Sequence, residues 1–251
     1  MAGQRAASVY ADFLLPHLTP TSRLVDLGCG DGELTLDLAS SVGHVTGVDV
    51  DQDELDRASR AADELGVTNA TFILGDVGAL DIPDDDVDVV LAHSVLEALE
   101  HPDAAVAEMA RIVRPGGLVA VASVDYGGLV LAGPQVDVVR RFYAVREQLW
   151  LSEGADPYLG RRLRGLLLGA GLHDVVASST YICHGTARAV RQFGQGRAED
   201  CQDDWYVDSA LRHGLATGKE IEEMRRAWLE WSQAPTSYAA FCWCRALGWK
   251  G

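Results

Sequence analysis

Between positions 23 and 122, apolar residues fall in short unbroken runs. Longer stretches separate them, in which Leu, Ala, Val and Met recur every three or four places. The runs Arg23–Gly28, Val45–Val50, Thr71–Leu74, Val87–Ala92 and Leu118–Ser123 are rich in Val, Leu or Ile and predict buried strands. Glu33–Ser40, Asp53–Leu65 and Asp103–Val113 carry the helical spacing. Asp51 through Glu54 reads as a capping box for the second helix, and Gly116 and Gly117, after Pro115, as the stop of the third. Strands alternating with helices predict an α/β fold, a parallel sheet with helices on both faces.

After Ser123 the rhythm changes. Pro134–Leu151 and Asp156–Gly171 predict helices, the second opened by Asp156 as cap and Pro157 in the first turn. Val175–Cys183 alternates and predicts a strand. Residues 185–233 are mostly helical in pattern, with Thr217 through Glu220 opening a helix that runs through Trp231. Ser237–Leu247 predicts a last strand, and Tyr238, Phe241, Trp243 and Trp249 give this end of the chain an aromatic character. The expected organisation is one domain over residues 1–251. Residues 1–123 form its core, residues 124–251 a second half, and a helical cover at about 185–233 is inserted before the last strand.

Charge narrows the partners. Lys and Arg number 21 against 37 Asp and Glu, a formal net charge of −16 that repels nucleic-acid backbones and anionic membrane surfaces. No run approaches the 18 consecutive apolar residues of a spanning helix, and Met1–Pro20 lacks a signal-peptide core. Five cysteines, an odd number without CxxC spacing, fit a reduced cytoplasmic chain. Alternation puts Cys242 and Cys244 on one strand face. With Cys183 and Cys201 scattered elsewhere they make a weak metal pattern, and no metal is expected.

The strongest chemical signal lies in Val25–Leu34, where a buried strand runs into Gly28, Gly30 and Gly32 and then a helix. Alternating glycines permit a sharp turn and close backbone approach to a ligand, and the helix behind them offers free N–H groups. A dinucleotide loop would place glycine or alanine where Glu33 stands. Asp26 precedes the loop, Asp49 ends the next strand and Asp76 follows the third. Three acidic strand ends suit a ligand with an amine, a ribose diol and an adenine, and suit a pyrophosphate poorly.

These segments resemble the class I S-adenosylmethionine-dependent methyltransferases, within them the group of ubiquinone/menaquinone-biosynthesis and natural-product enzymes. The likeness runs from Arg23 to Ser123, through Asp26–Gly32, Gly47–Val50, Gly75–Val77, Val87–Leu99 and Arg114–Gly117. Asp156–Arg162 and Trp243–Lys250 add weaker matches. The resemblance implies a Rossmann-like sheet of seven mostly parallel strands with the last antiparallel. It also implies S-adenosylmethionine as cofactor and a small-molecule acceptor, possible in secondary metabolism. By position, Gly28 and Gly30 would contact the methionine portion with Asp26 near its amino group. Asp49 would take the ribose diol, Val50 would pack on adenine, Asp76 would accept from the adenine amino group, and the Val77 N–H would reach the ring. His93 would lie beside the methionine portion and face the acceptor.

Methyl transfer needs alignment above all, plus a base where the nucleophile carries a proton. His93, the first polar side chain after the fourth strand, is the candidate base; its alternative is a wall residue contributing only backbone. Tyr126, after the fifth strand, is a candidate for orienting substrate. Arg161, with Arg162, could clamp a carboxylate, though such pairs often sit on a solvated helix face. Trp205, Tyr206, Trp228 and Trp231 could line an acceptor pocket, with Trp228 better explained as packing. Two other functions compete: the same fold and cofactor with a non-methylating reaction such as cyclisation, and a nicotinamide oxidoreductase, which Glu33 disfavours.

Overall fold

The computed structural model describes residues 6–251; the first five residues of the Met1–Pro20 stretch lie outside them. Seven strands form one sheet in the order β3-β2-β1-β4-β5-β7-β6. They are β1 (Arg23–Leu27), β2 (His44–Asp49), β3 (Ala70–Leu74), β4 (Val87–His93), β5 (Val113–Ala132), β6 (His173–His184) and β7 (Tyr238–Trp249). The pairs β1–β2, β1–β4, β2–β3 and β4–β5 are parallel. The last strand runs the other way. Gly116 and Gly117 exchange backbone hydrogen bonds with Lys250, while Gly128, further along β5, faces Cys242, earlier along β7. Likewise Gly251 lies beside His173 and Tyr238 beside Gly185, so β7 is antiparallel to both neighbours.

Alternate strand residues enter different clusters, as side chains that point to opposite faces must. Val25, Leu27, Val90, Ala92, Val119 and Val121 join α4 (Pro102–Ile112) and α6 (Leu163–Gly169) on one side. Leu24, Val89, Leu91, Leu118 and Ala120 join α1 (Ala7–Tyr10) and α2 (Glu33–Leu38) on the other. Helix α3 (Gln52–Leu65) starts where its cap predicts, with the Asp51 carboxylate accepting from the N–H groups of Asp53 and Glu54.

By its contacts the chain divides into two compact units. The first comprises Met1–Ser123, Leu159–Ser178 and Cys244–Gly251, the second Val124–Tyr158 and Ser179–Trp243. The second unit holds α5 (Val136–Ser152), α7 (Ala187–Asp200), α8 (Asp204–Arg212) and α9 (Gly218–Gln233) around an aromatic core. The helix start predicted at Thr217 opens α9 as a capping box: Glu220 N–H donates to the Thr217 side chain while the Glu220 carboxylate accepts from Thr217.

Four expectations need correction. The third strand is not buried: β3 is the edge of the sheet, with one neighbour, and Ile73 and Leu74 are exposed. The third predicted helix stops at Ile112, and Gly116 and Gly117 lie inside the run of β5. That strand does not end at Ser123 either but continues to Ala132. A glycine within a strand permits close backbone approach, and a Cβ at Gly128 would lie 2.4 Å from that of Cys242. The predicted helix over Asp156–Gly171 resolves into a 3-10 turn, Leu159–Arg162, and the shorter α6.

Candidate active site

The strand order reverses between β1 and β4, and ligands of open α/β sheets gather at the carboxyl ends of strands at such a switch point. There the glycine loop folds back onto β2. Gly28 and Cys29 N–H both donate to the Val48 carbonyl, at 2.7 and 3.1 Å, and Gly32 N–H donates to the Cys29 carbonyl. Gly28, Gly30 and Gly32 all have positive φ, 66°, 53° and 78°. Gly32 then stands as the left-handed cap of α2.

Asp49 braces this turn. One carboxylate oxygen accepts from the Gly30 N–H at 2.8 Å and the other from the Asp51 N–H at 3.0 Å. Each oxygen retains a lone pair, so the group is partly exposed and still able to accept from a ligand. Asp26 is buried at 2% exposure, and the Thr35 hydroxyl donates to it at 2.6 Å.

A cavity of about 260 Å³ opens here, lined by Asp26, Gly28, Gly30, Glu33, Glu54 and His93 together with Cys29, Asp31 and Leu34. Its lining holds four carboxylates and neither Lys nor Arg. Burial, with Asp26 and Asp49 adding their charge, pushes the Cys29 thiol far above its ordinary pKa, so it stays protonated at neutral pH. An acidic cavity of this kind attracts cationic ligand groups and opposes a pyrophosphate.

His93 ends β4 at 5% exposure, its ring edge-on to Tyr10 with centroids 5.6 Å apart. The next residue, Ser94, has φ 63° and turns the chain so that its hydroxyl donates to Glu97 at 3.1 Å. The other Glu97 oxygen accepts from Ser123 at 2.7 Å, and Glu97 is 2% exposed. This buried carboxylate, held by two hydroxyls close behind His93 in sequence, carried no sequence signal beyond its position after the strand. Thr35, the partner of Asp26, was equally unmarked, and Glu54, on the cavity wall, was read only as part of a helix cap.

Of the predicted site residues, the structure brings Asp26, Gly28, Gly30 and His93 onto one cavity and ties Asp49 to it through Gly30. Val50 beside Asp49 is 69% exposed, an unusual solvent-facing valine at a strand end. Asp76 is exposed and accepts from the Gly78 N–H at 2.8 Å, and Val77 is buried. Arg161 and Arg162 are both exposed on their 3-10 turn. Tyr126 belongs to the second unit, stacked on Trp150 at 5.4 Å. Tyr206, Trp228 and Trp231 are packed into that unit's core, whereas Trp205 is 37% exposed and donates to Glu153. Among the described residues no group of three His, Cys, Asp or Glu side chains could hold a metal ion.

Residues 18–150 match the family model described as a methyltransferase domain. The chain belongs to this methyltransferase family. It is an enzyme of the class I type, and its methyl donor is S-adenosylmethionine. The methyltransferase is 28% identical to an uncharacterized methyltransferase of Schizosaccharomyces pombe, over 91% of this chain and 84% of the relative. It is also 28% identical to a probable methyltransferase of Aspergillus luteorubrus, over 98% and 92%. A solved structure of the YcgJ protein from Bacillus subtilis superposes with TM-score 0.63 at 16% identity, over 97% and 99%, and shares the fold. The cavity suits the donor: its carboxylates match a ligand bearing an ammonium and a sulfonium, and a Cβ on Gly30 would meet nothing within 4 Å, so the backbone there leaves room.

Asp49→Ala removes an acceptor from two backbone N–H groups and from any ligand hydroxyl. S-adenosylmethionine affinity is expected to fall by about 1.5–3 kcal/mol, and stability by about 1 kcal/mol for each lost backbone bond. Calorimetry giving parental affinity would take Asp49 out of the site.

Proposed function

We propose that this methyltransferase acts on a small organic acceptor and that His93 removes the acceptor's proton. The surplus of 37 acidic over 21 basic residues carries the small-acceptor reading, because nucleic-acid substrates meet a repelling field.

S-adenosylmethionine, when bound, supplies a methyl group on a sulfonium that is already electrophilic. Asp26, Gly28 and Gly30 would hold its methionine portion, the Asp26 carboxylate meeting the ammonium. Asp49 would accept from the ribose diol, Val50 would cover one adenine face, and Asp76 with the Val77 N–H would fix the adenine edge. The exposed Val50 and the free capacity of the Asp49 carboxylate support these assignments. His93, buried at the strand end and lining the cavity, can accept a proton as a neutral imidazole. Tyr126 and Arg161 are proposed to orient the acceptor.

The test uses purified protein with methyl-labelled S-adenosylmethionine. The low-mass fraction of a cell extract, total RNA, DNA and the protein fraction are offered separately. Label is expected only in the low-mass products. Label in RNA, DNA or protein alone would refute the small-acceptor reading.

A further inference from the structure

The second unit contains a polar cluster that its own packing does not consume. Arg146 on α5 and Arg197 on α7 converge on one carboxylate, Asp200, at 3.0 and 3.1 Å. Both guanidinium side chains are largely buried, with 21% and 27% of their surface exposed. Two cations against one anion leave a positive charge at this point of a strongly acidic protein. His184, also beside Arg197, does not add to it. Burial first, and the Arg197 cation second, lower its pKa and keep it neutral. The hydroxyls of Tyr126 and Tyr143 and the thiol of Cys201 also lie near these arginines.

Hydrogen-bonding capacity is left over as well. The Nε of Arg146 and the Tyr143 hydroxyl are buried without a hydrogen-bond partner, whereas the Nε of Arg197 faces Asp200. Tyr143 is 2% exposed, and a buried donor left unmade costs about 1–3 kcal/mol. Folding alone gives no return for two such donors beside a surplus charge. An anion placed among them would satisfy all of these demands at once.

Around the arginines the wall is aromatic. Arg197 lies over the Phe193 ring at 5.4 Å and Arg146 near Trp150 at 6.0 Å. Tyr126 stacks on Trp150 and packs edge-on against Tyr143 and Phe241. Flat rings beside paired guanidiniums suit a planar carboxylate, which can engage a guanidinium in bidentate fashion while its ring lies on the wall.

We propose that Arg146, Arg197 and Tyr143 form a recognition site for the carboxylate of an aromatic acid, and that the acceptor of this methyltransferase is of that class. The second half of the statement rests on the small-acceptor reading above; the site itself does not.

Benzoate and its neutral isostere benzamide distinguish the site from mere packing. Ligand-observed NMR titration of the full-length protein should show saturable benzoate binding at least about tenfold tighter than benzamide. Arg197→Gln should weaken benzoate by about tenfold or more. Tyr143→Phe deletes only a hydroxyl; it should weaken benzoate several-fold while the melting temperature stays level or rises, because an unsatisfied buried group is gone. Should Arg197→Gln fail to fold, the Tyr143→Phe comparison decides. Equal affinity for benzoate and benzamide, no benzoate binding, or variants that bind benzoate like the parent would overturn the proposal and leave the cluster as a tie between α5 and α7. S-adenosylhomocysteine calorimetry on the same samples reads the donor site independently. Its failure with intact benzoate binding would strike the methyltransferase reading and spare the anion site, and the converse would strike the anion site alone.

Discussion

Gly30→Ala is expected to fold and to lose its donor, whereas Gly28→Ala should damage both fold and binding. The two glycines sit two residues apart with similar positive φ, so each pays roughly 1–3 kcal/mol for a side chain in left-handed backbone. Their surroundings differ. A Cβ on Gly28 would come within 2.3 Å of a Val95 methyl, which packs against the core, and overpacking adds about 1–3 kcal/mol. Together these approach a substantial part of the 5–15 kcal/mol that stabilises a typical domain. A Cβ on Gly30 meets no atom of the protein but stands beside the cavity that Gly30 lines. Its overlap therefore falls on the ligand, and S-adenosylhomocysteine affinity should drop by about 5- to 150-fold for a clash of about 1–3 kcal/mol. Thermal melts and calorimetry on the two variants separate the effects. Parental affinity in a folded Gly30→Ala protein would mean that the donor does not approach this backbone.

Removing the imidazole should have the larger effect on turnover. His93→Ala is expected to lower turnover by about 10²–10⁴-fold, the usual contribution of a general base. S-adenosylhomocysteine affinity should change little, because the backbone at the end of β4 remains paired with β5. The edge-on contact with Tyr10 holds the ring, so a His93→Gln protein with normal affinity and low turnover would separate loss of the base from loss of packing. A variant that turns over like the parent would leave alignment as the source of the rate and His93 as a wall of the cavity.

Much of this was legible along the chain. The strands β1, β2 and β4, the glycine loop and the acidic strand ends follow from local pattern. Short Val- and Leu-rich runs between helical stretches permit little but a parallel sheet, and carboxylates at its strand ends stand where ligands gather. Caps were equally local: Asp51 and Thr217 satisfy N–H groups two or three residues away, and such bonds need no tertiary partner. Periodicity could not reveal which strand would lie at an edge. Phe, Ile and Leu mark β3 as surely as Val marks β2, yet β3 has one neighbour and its Ile73 and Leu74 side chains reach solvent. Nor could it reveal that β5 passes through Asp125, Gly127 and Gly128, because the close approach of β7 that those glycines allow comes from residues more than a hundred positions away. The bond of Thr35 to Asp26, the burial of Glu97 between two serines, and the meeting of Arg146 with Arg197 across two helices join residues that are unremarkable alone. Their chemistry exists only once folding has removed water and set them within hydrogen-bonding distance, since charge and polarity in a dry interior are governed by neighbours and not by sequence position.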